Sequence, residues 1–285
     1  MKQTQCPSEA EPIADVIQVK KPFFKWAGGK TKVVPVLKPL LPSGRGRFIE
    51  PFVGAGALFL NTEYPSNLLS DSNADLMCVY AFLQEHSAKF IEECAQLFNP
   101  ENNQEERYYQ LRAEFNQGGE PKRHAALFVY LNRHGFNGLC RFNRTGQFNV
   151  PFGSSEPYFP REEMLVFAAR LQTAFLEIQD FRVTLAQAGH DDVVYCDPPY
   201  VPLSATANFT DYASGGFSLK DQKDLAACAI RAAQRGATVI ISNHDTPLTR
   251  ELYHDASQII TLQVRRSISC DGENRGKAKE LIAVF

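Results

Sequence analysis

The chain has 285 residues, a net charge of −2, 44% hydrophobic and 22% charged residues, a balance that excludes both a disordered chain and a membrane protein. No apolar run approaches the roughly 18 residues of a membrane span, and the N-terminal MKQTQCPSEAEPIADV lacks an apolar signal core, so a cytoplasmic protein is expected. Seven scattered cysteines without a Cys-x-x-Cys pair and six dispersed histidines argue for reduced thiols and for neither a disulfide framework nor a metal site.

In chain order, residues 1 to 17 read as a polar tail. From Arg47, RFIEPFVGAGALFLN reads as a short strand, a glycine turn and the start of a helix. NLLSD, Asn67 to Asp71, is a second strand ending in an acid, and a helical period runs from Ala74 to Phe98 with Leu76, Val79, Tyr80 and Leu83 on one face. The stretch from about 100 to 160 changes character and is rich in Asn, Arg, Gly and aromatics. Strand patterns return with DVVYC, Asp192 to Cys196, followed by a helix from Leu219 to Arg235 and a strand from Ala237 to Asn243. A loop and helix to Tyr253 then lead to two final strands, QIITLQV and ELIAVF. This alternation on both sides of a polar insert predicts an α/β sheet covered by helices and interrupted by a second module. Bases gather at Lys20 to Lys32, Lys122 to Arg144 and Arg265 to Lys279, while acids gather from Glu92 to Glu106, so a nearly neutral chain can still present a basic face.

Gly54 and Gly56 sit where a strand passes into a helix, a place that lets a ligand approach bare backbone next to the helix N-terminus. Asp71 lies 17 residues beyond Gly54 at the end of the next strand, where an acid accepts hydrogen bonds from ribose hydroxyls. Together they point to an adenosine-containing cofactor. Phe59 occupies the third position of the dinucleotide glycine fingerprint, and no phosphate-binding Gly-Lys-Ser/Thr loop is present. A cofactor without phosphates suits this pattern better than a dinucleotide or ATP.

The strand VVYC runs straight into Asp197-Pro198-Pro199-Tyr200. Two prolines remove two backbone donors and fix two φ angles, so the strand stops there with a carboxylate and a ring held in fixed relation. With S-adenosylmethionine as cofactor, such a segment suits methylation of an exocyclic amine on a base. Asp197 and the Pro198 carbonyl can accept both N–H bonds of the amine, and Tyr200 can stack on the ring. A base within a duplex must first be flipped out.

The segments FFKWAGGK, EPFVGAGALFLN, LSDSNADL, YLNRHGFNGLCRFNRTGQFNVPFG, VVYCDPPYVPLSATANFTDY, ISNHDTPLTRE and VRRSIS, in this order, closely resemble the Dam-type bacterial and phage DNA adenine-N6 methyltransferases that modify GATC. The resemblance runs from about Pro22 to Phe285. It implies a Rossmann-like S-adenosylmethionine-dependent methyltransferase sheet, residues 18 to 73 and 162 to 285, with an inserted, mainly helical DNA target-recognition domain at 74 to 161. Trp26 and Lys30 are then implied to contact S-adenosylmethionine, Gly54 and Gly56 to line its methionine part, and Asp71 to bind its ribose. Asp197 lies between cofactor and target, with Pro198 beside it and Tyr200 on the flipped adenine; the product is S-adenosylhomocysteine.

The partner implied is double-stranded DNA containing GATC, with no membrane and no obligate protein partner. Phe136 and Asn137 enter the space near the flipped base, Leu139 and Arg141 read the target, Lys25 touches the first guanine, and Pro151 packs near a thymine methyl. Arg133 and Arg144 are phosphate contacts or internal partners. Two departures stand out: relatives commonly carry Tyr where Phe136 stands, and a basic residue where Ser154 and Ser155 follow Pro-Phe-Gly. Rival readings are a methyltransferase for another nucleobase amine, where cytosine-N4 enzymes usually present Ser in place of Asp197, and a non-catalytic DNA-binding regulator, which is expected to have lost Asp197 or Tyr200. A dinucleotide oxidoreductase is opposed by Phe59.

Overall fold

The computed structural model describes residues 19–43, 46–153, 156–201, 216–265 and 277–285. The polar tail and the Ser154–Ser155 departure lie outside these residues. Seven strands form one sheet: β1 (Phe48–Glu50), β2 (Asn67–Asp71), β3 (Ala174–Ile178), β4 (Val193–Cys196), β5 (Thr238–His244), β6 (Gln258–Arg265) and β7 (Lys277–Val284). The order across the sheet is β3-β2-β1-β4-β5-β7-β6, parallel throughout except for β7, which runs antiparallel to both its neighbours. The helices are α1 (Val34–Leu37), α2 (Ala74–Gln96), α3 (Glu105–Gln117), α4 (Pro121–His134), α5 (Arg161–Leu171), α6 (Phe181–Ala186), α7 (Leu219–Gln234) and α8 (Pro247–Leu252).

Successive strand residues point to opposite faces, and the two faces carry separate cores. Phe48, Leu69, Val193, Tyr195 and Ile240 belong to one, which continues without a break into α2, α3, α4 and α5. Ile49, Leu68, Val194, Cys196 and Ile241 belong to the other, beneath α6 and α7. β4 is buried at all four positions because helices cover both faces, and this is why it reads as an apolar run rather than an alternation. Sheet order reverses between β1 and β4, so their carboxyl ends diverge and open a crevice. The glycine turn leaves β1 and the Asp-Pro-Pro-Tyr segment leaves β4 at this one place.

The insert is mainly helical, as α2, α3 and α4 show. α4 starts on Pro121 with Glu120 accepting from the Lys122 and Arg123 amides, and is buried from Ala125 through His134. After Gly135 the chain forms a single tight turn, Phe136–Gly138, and a ribbon closed by the antiparallel bridges Phe142–Phe148 and Gly135–Phe152. α2 packs on β2, β3 and α5 as well as on α4, so insert and sheet share one core.

The helix expected after the glycine turn is only a short 3-10 turn, Phe59–Asn61. Asn61 Nδ2 donates to the Ala57 carbonyl and Thr62 Oγ1 to that of Phe59, capturing acceptors that a continuing helix needs, and Pro65 follows. Three elements between the insert and β4 were not foreseen: α5, the edge strand β3 and α6. β3 exposes Phe175 (67%) and Ile178 (59%) at the sheet's edge, and α6 has six residues, too few to show a period.

Candidate active site and nucleic-acid interface

At the crevice, Gly54 and Gly56 adopt φ of 45° and 66°, in the left-handed region that favours glycine. A Cβ on Gly54 would stand 2.9 Å from the Trp26 indole nitrogen, and one on Gly56 would stand 2.8 Å from the Phe167 ring. The glycines thus seat two aromatic rings against the turn. Asp71 Oδ2 accepts the Gly54 amide (3.1 Å) and Oδ1 the Asn73 amide (3.0 Å), while the Tyr80 hydroxyl donates to the Gly54 carbonyl (2.5 Å). Burial raises the Asp71 carboxyl above its ordinary range, opposed by these amides. With the Ser72 amide as a third donor, the carboxylate still has capacity for one more.

Asp197 stands across the crevice. The Lys30 ammonium, 7% exposed, lies 2.8 Å from Asp197 Oδ1, donates to the Gly28 carbonyl (2.7 Å) and sits 4.7 Å from the centre of the Tyr200 ring. The ammonium therefore pairs with Asp197 by charge at hydrogen-bond distance, and an ionised carboxylate retains further lone pairs for another donor. Burial raises the Asp197 carboxyl and Lys30 opposes the rise. Tyr200 donates to Glu280 Oε2 (3.3 Å) and meets the His244 ring edge-on, with centroids 4.8 Å apart. Glu50, at the end of β1 and 3% exposed, accepts the Phe59 amide (3.2 Å); burial pushes its carboxyl well up.

The other expected residues lie on the insert, except Lys25, which is bonded to it. The Lys25 amide donates to Asn132 Oδ1 (3.0 Å), and Asn132 Nδ2 donates back to the Lys25 carbonyl (2.7 Å) and to that of Gly138 (3.3 Å). The Lys25 stem lies so close to Gly138 that a Cβ there would come within 2.3 Å of it. Burial lowers the Lys25 ammonium, and the Arg133 charge lowers it further. Lys25 is therefore pinned beside the turn that presents Phe136, 49% exposed, and Asn137, exposed at φ 55°. The Phe136 amide donates to the Pro151 carbonyl (2.9 Å), which ties the turn to the far limb of the ribbon. Leu139 is half-buried against the core. Arg141 is exposed and donates through Nε to Asn149 Oδ1 (2.7 Å) and through Nη2 to the Asn149 carbonyl (3.2 Å), leaving its remaining donors outward. Arg144 is exposed in the ribbon's turn, whereas Arg133 is buried on the carbonyls of Phe23 and Tyr158.

Two groups of residues thus gather: Trp26, Lys30, Gly54, Gly56, Asp71, Asp197 and Tyr200 near the strand ends, and Phe136, Asn137, Leu139, Arg141 and Pro151 on the insert with Lys25 bonded to it through Asn132. Residues 26–268 match the family model described as D12 class N6 adenine-specific DNA methyltransferase. The chain belongs to this family. It is 48% identical over 264 residues to a DNA adenine methylase of Escherichia coli strain K12, covering 92% of this chain and 94% of that one. To a DNA adenine methylase of Vibrio cholerae it is 47% identical over 268 residues, covering 93% and 96%. A solved precorrin-8w decarboxylase from Methanobacterium thermoautotrophicum aligns over 89% of each chain at 12% identity and a TM-score of 0.36. The enzyme is accordingly an adenine-specific DNA methyltransferase. Among the described residues no helix is long and apolar enough to cross a membrane, and no cluster of three metal-ligating side chains occurs.

Sequence reasoning missed Asn132, which joins Lys25 to the insert, and Glu280, Gln222 and Asn243, which stand around Asp-Pro-Pro-Tyr. Asn132 had one visible signal, an amide closing the apolar run AALFVYL.

Proposed function

We propose that the enzyme methylates N6 of an adenine flipped out of duplex DNA, within GATC, using S-adenosylmethionine and acting in the cytoplasm. The observation that carries this reading is the pairing at the crevice, where the buried Lys30 ammonium stands 2.8 Å from Asp197 Oδ1 and over the Tyr200 ring, holding an ionised acceptor beside an aromatic face. The lone pairs that Lys30 leaves on this carboxylate can accept an amine N–H.

The residues around the crevice fit the cofactor. Glycine backbone and the Trp26 ring form a wall, the Lys30 ammonium suits a carboxylate, and the remaining acceptor capacity of Asp71 suits a ribose hydroxyl. When bound, S-adenosylmethionine supplies an electrophilic sulfonium methyl. The chain's own contribution is to make a poor nucleophile reactive. The adenine amine has its lone pair delocalised into the ring; Asp197 and the Pro198 carbonyl accept its two N–H bonds and draw the nitrogen toward a tetrahedral shape. Lys30 favours the ionised, accepting form of Asp197 against the burial that raises its carboxyl. Tyr200, fixed by Glu280 and His244, stacks on the base.

On the DNA side, Phe136 wedges into the stack and Asn137 lies beside it, at the cost of roughly a few kcal/mol for unstacking. Lys25 meets the first guanine, Arg141 reads a guanine with Leu139 beside it, and Pro151 packs on a thymine methyl. Asn149 pre-orients the Arg141 guanidinium for that contact. The test is expression in a host lacking adenine methylation, followed by digestion of its DNA with nucleases that distinguish methylated from unmethylated GATC. Protection is expected; unchanged cutting removes the GATC assignment.

A further inference from the structure

The segment that follows β4 has few backbone groups left for bonding, because two of its residues are prolines. Three of those that remain are bonded by side chains from α7 and β5. Gln222 Nε2 donates to the Pro199 carbonyl (2.8 Å) and Asn243 Oδ1 accepts the Val201 amide (3.1 Å). The Val201 carbonyl faces His244 Nδ1 at 2.6 Å, so that nitrogen carries the proton. The two amides also bond each other: Asn243 Nδ2 donates to Gln222 Oε1 (3.1 Å) and to the Tyr253 hydroxyl (3.0 Å). Gln222, Asn243 and Tyr253 are all fully buried. Every amide atom has a partner, and the directions leave one orientation for each side chain. The capping box of Ser218 and Asp221 fixes the start of α7 at Leu219, and Gln222 follows Asp221 directly.

We propose that Gln222 and Asn243 are positioning residues for methyl transfer: their paired amides clamp Pro199 and Val201 on either side of Tyr200 and so set the spacing of Asp197, the Pro198 carbonyl and the ring. Neither side chain touches the reacting atoms. A helix on one sheet face and the strand beside β4 are thereby locked to the tip of β4 through a single amide–amide contact. Such a brace is rigid because a buried amide that moves abandons bonds it cannot replace with water. The inference rests on the assignment of Asp197 to Tyr200 as the amine-holding segment.

The test is single-turnover methyl transfer on a GATC duplex, with cofactor and DNA affinities measured separately by direct binding. Gln222→Met removes both amide bonds at similar volume and is expected to slow transfer by about 100-fold through misplacement of the acceptors, with both affinities kept within about twofold. Gln222→Glu gives an internal control. Ionised, the new carboxylate repels the Pro199 carbonyl; protonated, it donates to that carbonyl and still accepts from Asn243. Its rate relative to wild type is expected to rise about tenfold from about pH 8.5 to about pH 6, because burial raises a carboxyl into that range.

The titratable groups flanking the brace are Tyr253, pushed up by burial, Cys196, likewise pushed up, His244, and Asp221, which burial would raise but Ser218 and Arg182 hold down at about 2. A wild-type rate for Gln222→Met, or parallel loss of rate and both affinities, overturns the proposal. If Gln222→Met does not fold, a flat rate ratio for Gln222→Glu overturns it. Asp197→Ala in the same assay separates the two readings: activity retained there sinks the amine-holding assignment, whereas activity lost there but unchanged in Gln222→Met sinks the brace alone.

Discussion

Lys30→Met isolates the ion pair at the centre of the crevice. Two unit charges 2.8 Å apart attract by about 6 kcal/mol at an effective dielectric of about 20. That figure is gross attraction, since both partners also shed water; deleting one member of a buried pair costs about 3–5 kcal/mol. Lys30 is 7% exposed but Asp197 is 21% exposed, so water screens the orphaned carboxylate and lowers the expected loss to about 2–3 kcal/mol. The cost must depend on the partner. In an Asp197→Asn background, Lys30→Met is expected to cost less than about 1 kcal/mol, which makes the coupling in a double-mutant cycle about 2 kcal/mol.

Urea unfolding of the four proteins measures it, with unchanged slopes as the check that the unfolding reaction is the same. The same substitution has a kinetic arm. Lys30 opposes the burial that raises the Asp197 carboxyl, so its loss raises that carboxyl further. At saturating cofactor, the acid limb of the rate profile moves to higher pH. Equal stability costs in both backgrounds, together with an unmoved acid limb, would refute the claim that Lys30 and Asp197 act as a pair.

Asp197→Ala is expected to lower single-turnover methyl transfer by at least about 10²–10³-fold while calorimetry still detects cofactor binding; near-normal turnover contradicts the acceptor role. Arg141→Ala is expected to reduce discrimination between GATC and a duplex altered at one guanine by about 1–3 kcal/mol, read as the ratio of kcat/KM values. Equal weakening on every DNA makes Arg141 a phosphate clamp instead. Glu50→Gln tests the buried acid at the end of β1. Burial raises that carboxyl in the fold, so the folded state binds more protons than the unfolded one between the ordinary carboxylate range and the raised value. The stability it confers is full below that range and lost as pH rises through the folded value. The substitution is expected to remove this fall, at most about 1.4 kcal/mol per pH unit, from urea midpoints taken across the window; an unchanged slope counts against a protonated Glu50.

The fold was legible wherever a strand was fully covered or a helix was long. VVYC and NLLSD announce themselves because β4 and most of β2 are buried, and α2 shows its period over 23 residues. β3 was not legible, because an edge strand with Phe175 and Glu177 both exposed shows neither a buried run nor a clean alternation. The short turn after Gly56 was misread as a helix because its stopping bonds, from Asn61 and Thr62 back to Ala57 and Phe59, use side chains that are tolerated in helices too.

The candidate site divides along a similar line. Asp197, Tyr200, Gly54 and Asp71 were legible because the chemistry asks for those residue types at strand ends, and strand ends follow from local pattern. The residues that hold them are distant in sequence: Asn132 lies 107 positions from Lys25, Glu280 lies 80 from Tyr200, and Asn243 lies 42 from Val201. Nothing in the spacing links an amide to a backbone group so far away. A glutamine on a helix such as α7 is ordinarily a solvated residue, and only its full burial turns it into a bond that must be satisfied. The Ser218–Asp221 capping box that sets Gln222 in place was itself a local pattern, so the helix start was readable while its purpose was not. The double proline explains why such outside support is needed. By removing its own donors, the segment gives up the hydrogen bonds with which a loop usually fixes itself, and its geometry then depends on whatever amides the neighbouring helix and strand present.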